Sequence, residues 1–215
     1  RPRRRSRLAW LRAASEDPGV AAIVVRVDSG GGDGLASDLM YRAVLEAKKQ
    51  KPVIASVNGY AVGGGHVLHV VCDLTIAKES AVFRQVGPMM GSFDAGFGTW
   101  YLEDLVGKKK AKEIWFLNEK LTARQALDLG LVNRVVPDDQ LQQATMEMAL
   151  AIAARGSYAL AAIKAAFGAR HQGVIGLARL THDLMLPPYY QSEEAKELAA
   201  SFEQRRAPDP KHFGK

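Results

Sequence analysis

Two strand–glycine–helix units, one after the other, constrain this chain most. The apolar run Ala21–Val27 leads into Ser29-Gly30-Gly31-Gly32-Asp33, and the buried-strand pattern Pro52–Val57 leads into Gly59-Tyr60-Ala61-Val62-Gly63-Gly64-Gly65. A second apolar run, His66 to Cys72, follows the later turn. Short apolar runs bounded by glycine predict strands covered on both faces, which is the habit of parallel sheets. Each turn from strand to helix leaves backbone N–H groups without an intrahelical partner. Two such turns in one domain can supply the paired N–H donors that hold a developing oxyanion.

The remaining pattern supports a mixed α/β fold. Leu8–Glu16 reads as a helix stopped near Pro18. Residues 34–50 place Leu35, Leu39, Met40, Ala43, Val44 and Ala47 at helical spacing. Asp73–Ala77 and Ala81–Arg84 read as short strands. From about residue 99 the pattern is helical: Thr122 caps a helix over Ala123–Leu129 closed by Gly130, Asp138 or Asp139 caps a long helix to about Arg155, and Ser157 caps the next to Phe167. Pro187-Pro188 breaks the chain, Ser192 opens a last helix, and the end from Arg206 onward reads as an extended tail. Alternating strands and helices imply parallel crossovers. The expected division is an α/β core over 1–135 and a helical section over 136–215.

Composition narrows the function classes. With 215 residues, the chain can bury a substantial core. The single Cys72 excludes an internal disulfide or a cysteine metal cluster and reads as a buried thiol. His66 and His69 lack further ligands at metal spacing, so no metal site is expected and they read as satisfied core or interface histidines. No apolar run is long enough to span a membrane, and no secretory signal is read. The net charge of +6 is concentrated at the start, where Arg1, Arg3, Arg4, Arg5 and Arg7 stand without an acid. No aromatic residues interleave with them, so a solvated basic terminus is expected rather than nucleic-acid contact.

Residues from about 51 onward resemble the crotonase (enoyl-CoA hydratase) superfamily. The resemblance rests on Gly59–Ala77, Gln85–Gly98, Lys109–Trp115, Ala126–Asn133 and Phe202–Asp209. Within the superfamily it is nearest to the 1,4-dihydroxy-2-naphthoyl-CoA synthases of menaquinone biosynthesis, through Gly91-Ser92-Phe93-Asp94. Asp17–Gly32 and Leu35–Tyr41 resemble signal peptide peptidase A-type proteases, which share the spiral core. A glycine, Gly64, stands where those proteases carry their nucleophilic serine, so acyl-enzyme chemistry is not expected.

The resemblance implies a ClpP/crotonase-like spiral of ββα units with a helical C-terminal section that builds trimers or hexamers. It implies a cytoplasmic lyase acting on an acyl-CoA, with CoA carried by the substrate, and intramolecular Claisen condensation of o-succinylbenzoyl-CoA as the reaction. The main alternatives are another crotonase acyl-CoA reaction, such as hydration or β-keto-acyl-CoA ring hydrolysis, or an inactive peptidase-like scaffold. It assigns the oxyanion donors to Gly32 and Gly64, and proton handling and orientation to Ser92 and Asp94. Gln85, Val86, Gly87 and Trp115 would hold bicarbonate as the catalytic base, with Val86 in place of a usual threonine. Tyr190 would hydrogen-bond substrate and Arg205 would approach CoA phosphate, both in a neighbouring subunit's site.

Overall fold

A computed structural model describes residues 7–91, 97–180 and 186–212. The chain forms two compact units, Arg1–Ser157 and Tyr158–Lys215.

The first unit is built on one curled sheet. Strand β1 (Ile23–Ser29) pairs in parallel with β2 (Val53–Val62), joined by helix α2 (Gly34–Gln50). Helix α1 (Arg7–Glu16) precedes β1, and α3 (Gly64–Val70) follows β2. Strands β3 (Leu74–Lys78), β4 (Val82–Arg84), β5 (Leu121–Thr122) and β6 (Arg134–Val136) complete the sheet in the order β5-β4-β2-β3-β6, with β1 branching from β2.

The branch explains the curl. The first half of β2 is flanked by β1 and β3, with Val25 and Thr75 both opposite Ala55. The second half pairs with β4, with Ala61 opposite Phe83. One strand thus serves two sheet directions. Val53, Ile54, Ala55 and Val57 are each 0% exposed, as the unbroken apolar run requires of a strand covered on both faces. Burial of each larger aliphatic side chain contributes about 1.5–3 kcal/mol.

Helices close the unit. In α2 the buried face is Tyr41, Val44 and Ala47, and Asp33 caps its start by accepting Ala36 N–H at 2.8 Å. Helices α4 (Phe97–Val106), α5 (Lys108–Leu117) and α6 (Ala123–Asp128) follow β4, and α6 opens on a complete capping box between Thr122 and Gln125. Helix α7 (Leu141–Ala153) lays Leu141, Ala144, Thr145 and Ala149 inward, and Thr145 Oγ1 meets Ser56 Oγ of β2 at 3.1 Å in the core.

Several expectations are refined. The strand expected to stop at Val57 continues to Val62, because its second half gains β4 as a partner; the turn contracts to Gly63. Asp138 does not cap α7. Residues Asp138–Gln140 form a 3-10 turn, and the Asp138 carboxylate accepts from Ser80 N–H and Ser80 Oγ instead. Beyond Phe167, the expected end of that helix, α8 (Ser157–Leu180) continues to Leu180.

The second unit is helical, with most of α8, then α9 (Leu186–Tyr190) and α10 (Glu193–Glu203). Pro187 and Pro188 stand in the first turn of α9, where a missing N–H costs no helical bond. The tail is tied rather than extended. Arg206 grips both carboxylate oxygens of Glu197, and Asp209 N–H donates to the same group at 2.7 Å. Those bonds, the Arg206 bond first, hold the Glu197 carboxyl down at about 2. Among the described residues no single helix is long and apolar enough to cross a membrane.

Candidate active site

Parallel pairing of β1 with β2 brings their carboxyl ends to one edge, where the two glycine turns meet. Ser29 stands opposite Ala61 at the last pair of the register. Gly31 Cα lies 3.8 Å from the point where a Cβ would stand on Gly63, and Val62 O lies 3.5 Å from the corresponding point on Gly31. Such an edge, beyond the carboxyl ends of parallel strands, is where open α/β folds bind ligands.

Gly63 takes φ +51° and ψ −116°, a backbone that residues with a side chain rarely adopt, and so swings the chain from strand into α3. Its own N–H is held by Arg84 O at 2.9 Å. The next residue, Gly64, makes no such bond. Among the described residues neither Gly32 N–H nor Gly64 N–H donates a hydrogen bond. The two donors expected for an oxyanion therefore sit on adjoining turns and are uncommitted.

The surroundings of Gly64 are polar. A Cβ there would meet Ser37 Oγ at 2.5 Å and Tyr41 Oη at 2.9 Å, both from α2. Neither residue is among the site residues expected from the sequence. The signal was their i, i+4 spacing one turn after the first glycine turn, which puts both on one helix face.

Behind the turn, α3 carries a buried histidine pair. His66 and His69 are 0% and 1% exposed, with ring centroids 4.9 Å apart and both edge-on to Phe83. His66 Nδ1 pairs with Gln85 Nε2 at 3.0 Å, and His69 Nδ1 with Thr75 Oγ1 at 3.3 Å. Each Nε2 is buried without a hydrogen-bond partner, so the histidines expected to be satisfied are only half so. Desolvation pushes His66 down to about 3, and burial followed by the neighbouring His66 pushes His69 well below the ordinary imidazole value. Both rings are neutral core groups.

The residues expected to hold bicarbonate are committed elsewhere. Trp115 is 8% exposed and donates its one N–H to Gly98 O at 3.0 Å. The Gln85 amide is turned onto His66. Val86 offers no polar group, and its Cγ2 lies 3.3 Å from the Cβ point of Gly63. Gly87 opens a 3-10 turn over Gly87–Met90. This set does not fit a bound bicarbonate; Gln85 and Val86 instead brace the second glycine turn from below.

The acids nearest the first turn are also occupied. Asp28 accepts Tyr60 N–H at 3.1 Å and Asn58 Nδ2 at 3.3 Å, and Asp33 caps α2. Ser92 and Asp94 lie outside the described residues. Tyr190 and Arg205 stand on the second unit. Tyr190 is exposed beside Tyr189, and Arg205 takes a left-handed φ of 52° just past α10 and makes no ion pair among the described residues. Its neighbour Arg206 makes the ion pair instead.

The fold has counterparts among solved structures. The family model for enoyl-CoA hydratase/isomerase matches residues 36–212. The chain belongs to the enoyl-CoA hydratase/isomerase family. Enoyl-CoA hydratase subunit I from Geobacillus kaustophilus HTA426 is 29% identical, with a TM-score of 0.71 over 94% of this chain and 84% of that one. A monofunctional enoyl-CoA isomerase from M. smegmatis is also 29% identical, with a TM-score of 0.68 over 78% of this chain and 79% of that one. A probable enoyl-CoA hydratase/isomerase from Mycobacterium abscessus, at 23% identity and TM-score 0.72, shares the fold over 94% of this chain and 85% of its own. Coverage of 94% carries this likeness into the N-terminal stretch, where a peptidase resemblance was expected and finds no support. An acyl-CoA substrate accords with this membership.

Proposed function

We propose that this protein forms the enolate of an acyl-CoA thioester at its paired glycine turns and moves a proton through it, with enoyl-CoA isomerisation as the leading reaction. The observation that carries the reading is the adjoining pair of uncommitted amides at Gly32 and Gly64. When a base removes the α-proton, charge passes to the thioester oxygen, and two N–H donors about 2.7–3.1 Å away stabilise it.

Asp94 is the proposed base. Between residues 60 and 102 the acids are Asp73, Glu79 and Asp94. Asp73 is held by Val53 N–H at 2.8 Å and by Lys48, and Glu79 stands in the turn between β3 and β4. One carboxylate suffices for a 1,3-proton shift. Asp94 takes the α-proton of a 3-enoyl-CoA, the double bond moves to the 2-position, and the same proton returns to the γ-carbon. Hydration asks for more, since water must be activated while carbon is protonated. The likeness to an enoyl-CoA isomerase is compatible with this choice, as the equal identity to a hydratase is with hydration.

A second reading, ring closure of o-succinylbenzoyl-CoA, is favoured by Gly91-Ser92-Phe93-Asp94. It uses the same enolate, which attacks the carbonyl carbon of the ring carboxyl instead of collecting a proton, with loss of that carboxyl's oxygen as water, and Ser92 orients the aromatic acyl group. In either case the enzyme works as a homo-oligomer, with Tyr190 and Arg205 serving a neighbouring subunit's substrate.

A panel of 3-enoyl-CoA, 2-enoyl-CoA and o-succinylbenzoyl-CoA tests both readings. Interconversion of the enoyl isomers supports the first, and naphthoyl product the second. Turnover of none of them, with no thermal shift on adding the thioesters, contradicts both.

A further inference from the structure

We propose that Ser37 is a third hydrogen-bond donor to the thioester oxygen, held in place by the start of α2, with Tyr41 as the wall behind it. The inference rests on the enolate reading above and deepens it.

Three observations carry it. Ser37 lies one helical turn beyond Gly32, and its own N–H is satisfied by Asp33 O at 3.0 Å, so the backbone that presents its hydroxyl is fixed. That hydroxyl reaches across to the second turn, 2.5 Å from the Cβ point of Gly64, with Tyr41 Oη 2.9 Å from the same point. The side chain of Ser37 is half-buried, and its Oγ has no hydrogen-bond partner among the described residues. An uncommitted hydroxyl set against the turn that carries the uncommitted Gly64 amide is placed to add a donor where negative charge collects. The enclosing Tyr41 is 6% exposed and belongs to the core face of α2.

The role differs from packing in what it moves. A donor that strengthens as charge develops affects kcat more than ground-state affinity. Ser37→Ala removes only an oxygen from a half-buried position, so the fold is retained. Ser37→Thr keeps the hydroxyl and serves as the rescue variant.

The experiment measures kcat and KM of the full chain for 3-enoyl-CoA, and deuterium wash-in at C2 of butanoyl-CoA, for wild type, Ser37→Ala and Ser37→Thr, with melting temperatures alongside. The expected result is a fall in kcat and exchange of roughly 10- to 100-fold in Ser37→Ala. KM and melting temperature should be little changed, and Ser37→Thr should recover most of the rate. An active wild type with Ser37→Ala within about twofold of it overturns this proposal alone. A Ser37→Ala defect confined to KM, or a lowered melting temperature with kcat intact, also overturns it, because the role is then binding or packing. A wild type that neither turns over nor exchanges either thioester overturns the enolate reading, and this proposal falls with it.

Discussion

On the proposed reading, Gly64 concentrates the chemistry of the molecule in one residue. The absence of a side chain leaves room for two hydroxyls from α2, and its N–H points from a turn that gives it no partner. Alanine at this position pushes against Ser37 Oγ, Ser37 Cβ and Tyr41 Oη, so the turn must shift and carry the amide with it. Gly64→Ala should lower kcat for any acyl-CoA substrate on the order of 10²-fold, the scale of losing one oxyanion donor. Steady-state kinetics on the accepted thioester checks this, and a variant with unchanged kcat would place the oxyanion elsewhere. The turn over Gly59–Gly65 is legible in the sequence because it follows a strand pattern, and the family resemblance points to Gly64 within it. The sequence does not show Ser37 and Tyr41, because a helix face gains meaning only when the element opposite it is known.

At the scale of elements, local signals fix structure where they act alone and mislead where tertiary partners intervene. Helix α2 occupies the expected 34–50, since Asp33 caps it locally and its apolar spacing has no competing reading. The end of β2 lies beyond the expected Val57: Asn58 and Gly59 look like a turn, but pairing of Tyr60, Ala61 and Val62 with β4 carries the strand past them. Asp138 or Asp139 is the expected cap of the long helix, but Ser80, far away in sequence, holds the Asp138 carboxylate. Thr122 caps α6 as expected, and its box with Gln125 is local. Thr122→Ala should therefore cost about 1 kcal/mol, measurable as a lowered urea midpoint with an unchanged slope. No loss of stability would show that β5 pairing, not the cap, fixes the start of α6.

For the whole molecule, the buried histidine pair links stability to pH. Both rings are neutral when folded and titrate below their unfolded value of about 6.5. Their contribution is therefore complete above pH 6.5 and drains away as pH falls, for His66 down to about 3. Within that window the unfolded chain binds more protons, and stability drops by about 1.4 kcal/mol per pH unit for each fully titrating ring. Urea unfolding at pH 7, 5.5 and 4.5 should show this loss, and His69→Asn should lessen it; an equal slope in the variant would assign the acid sensitivity to carboxylates. Phe83, fully buried and edge-on to both rings, is the packing counterpart. Phe83→Ala should destabilise by about 3–5 kcal/mol at neutral pH, read from the same denaturation curves.

The measurement that bears most directly on the central claim is hydrogen exchange at the thioester α-carbon. In D2O, wild type incubated with butanoyl-CoA should wash deuterium into C2, followed by mass spectrometry, and Gly64→Ala should slow it on the order of 10²-fold. Exchange that proceeds equally in wild type and Gly64→Ala would contradict an enolate held by the amides of these two turns.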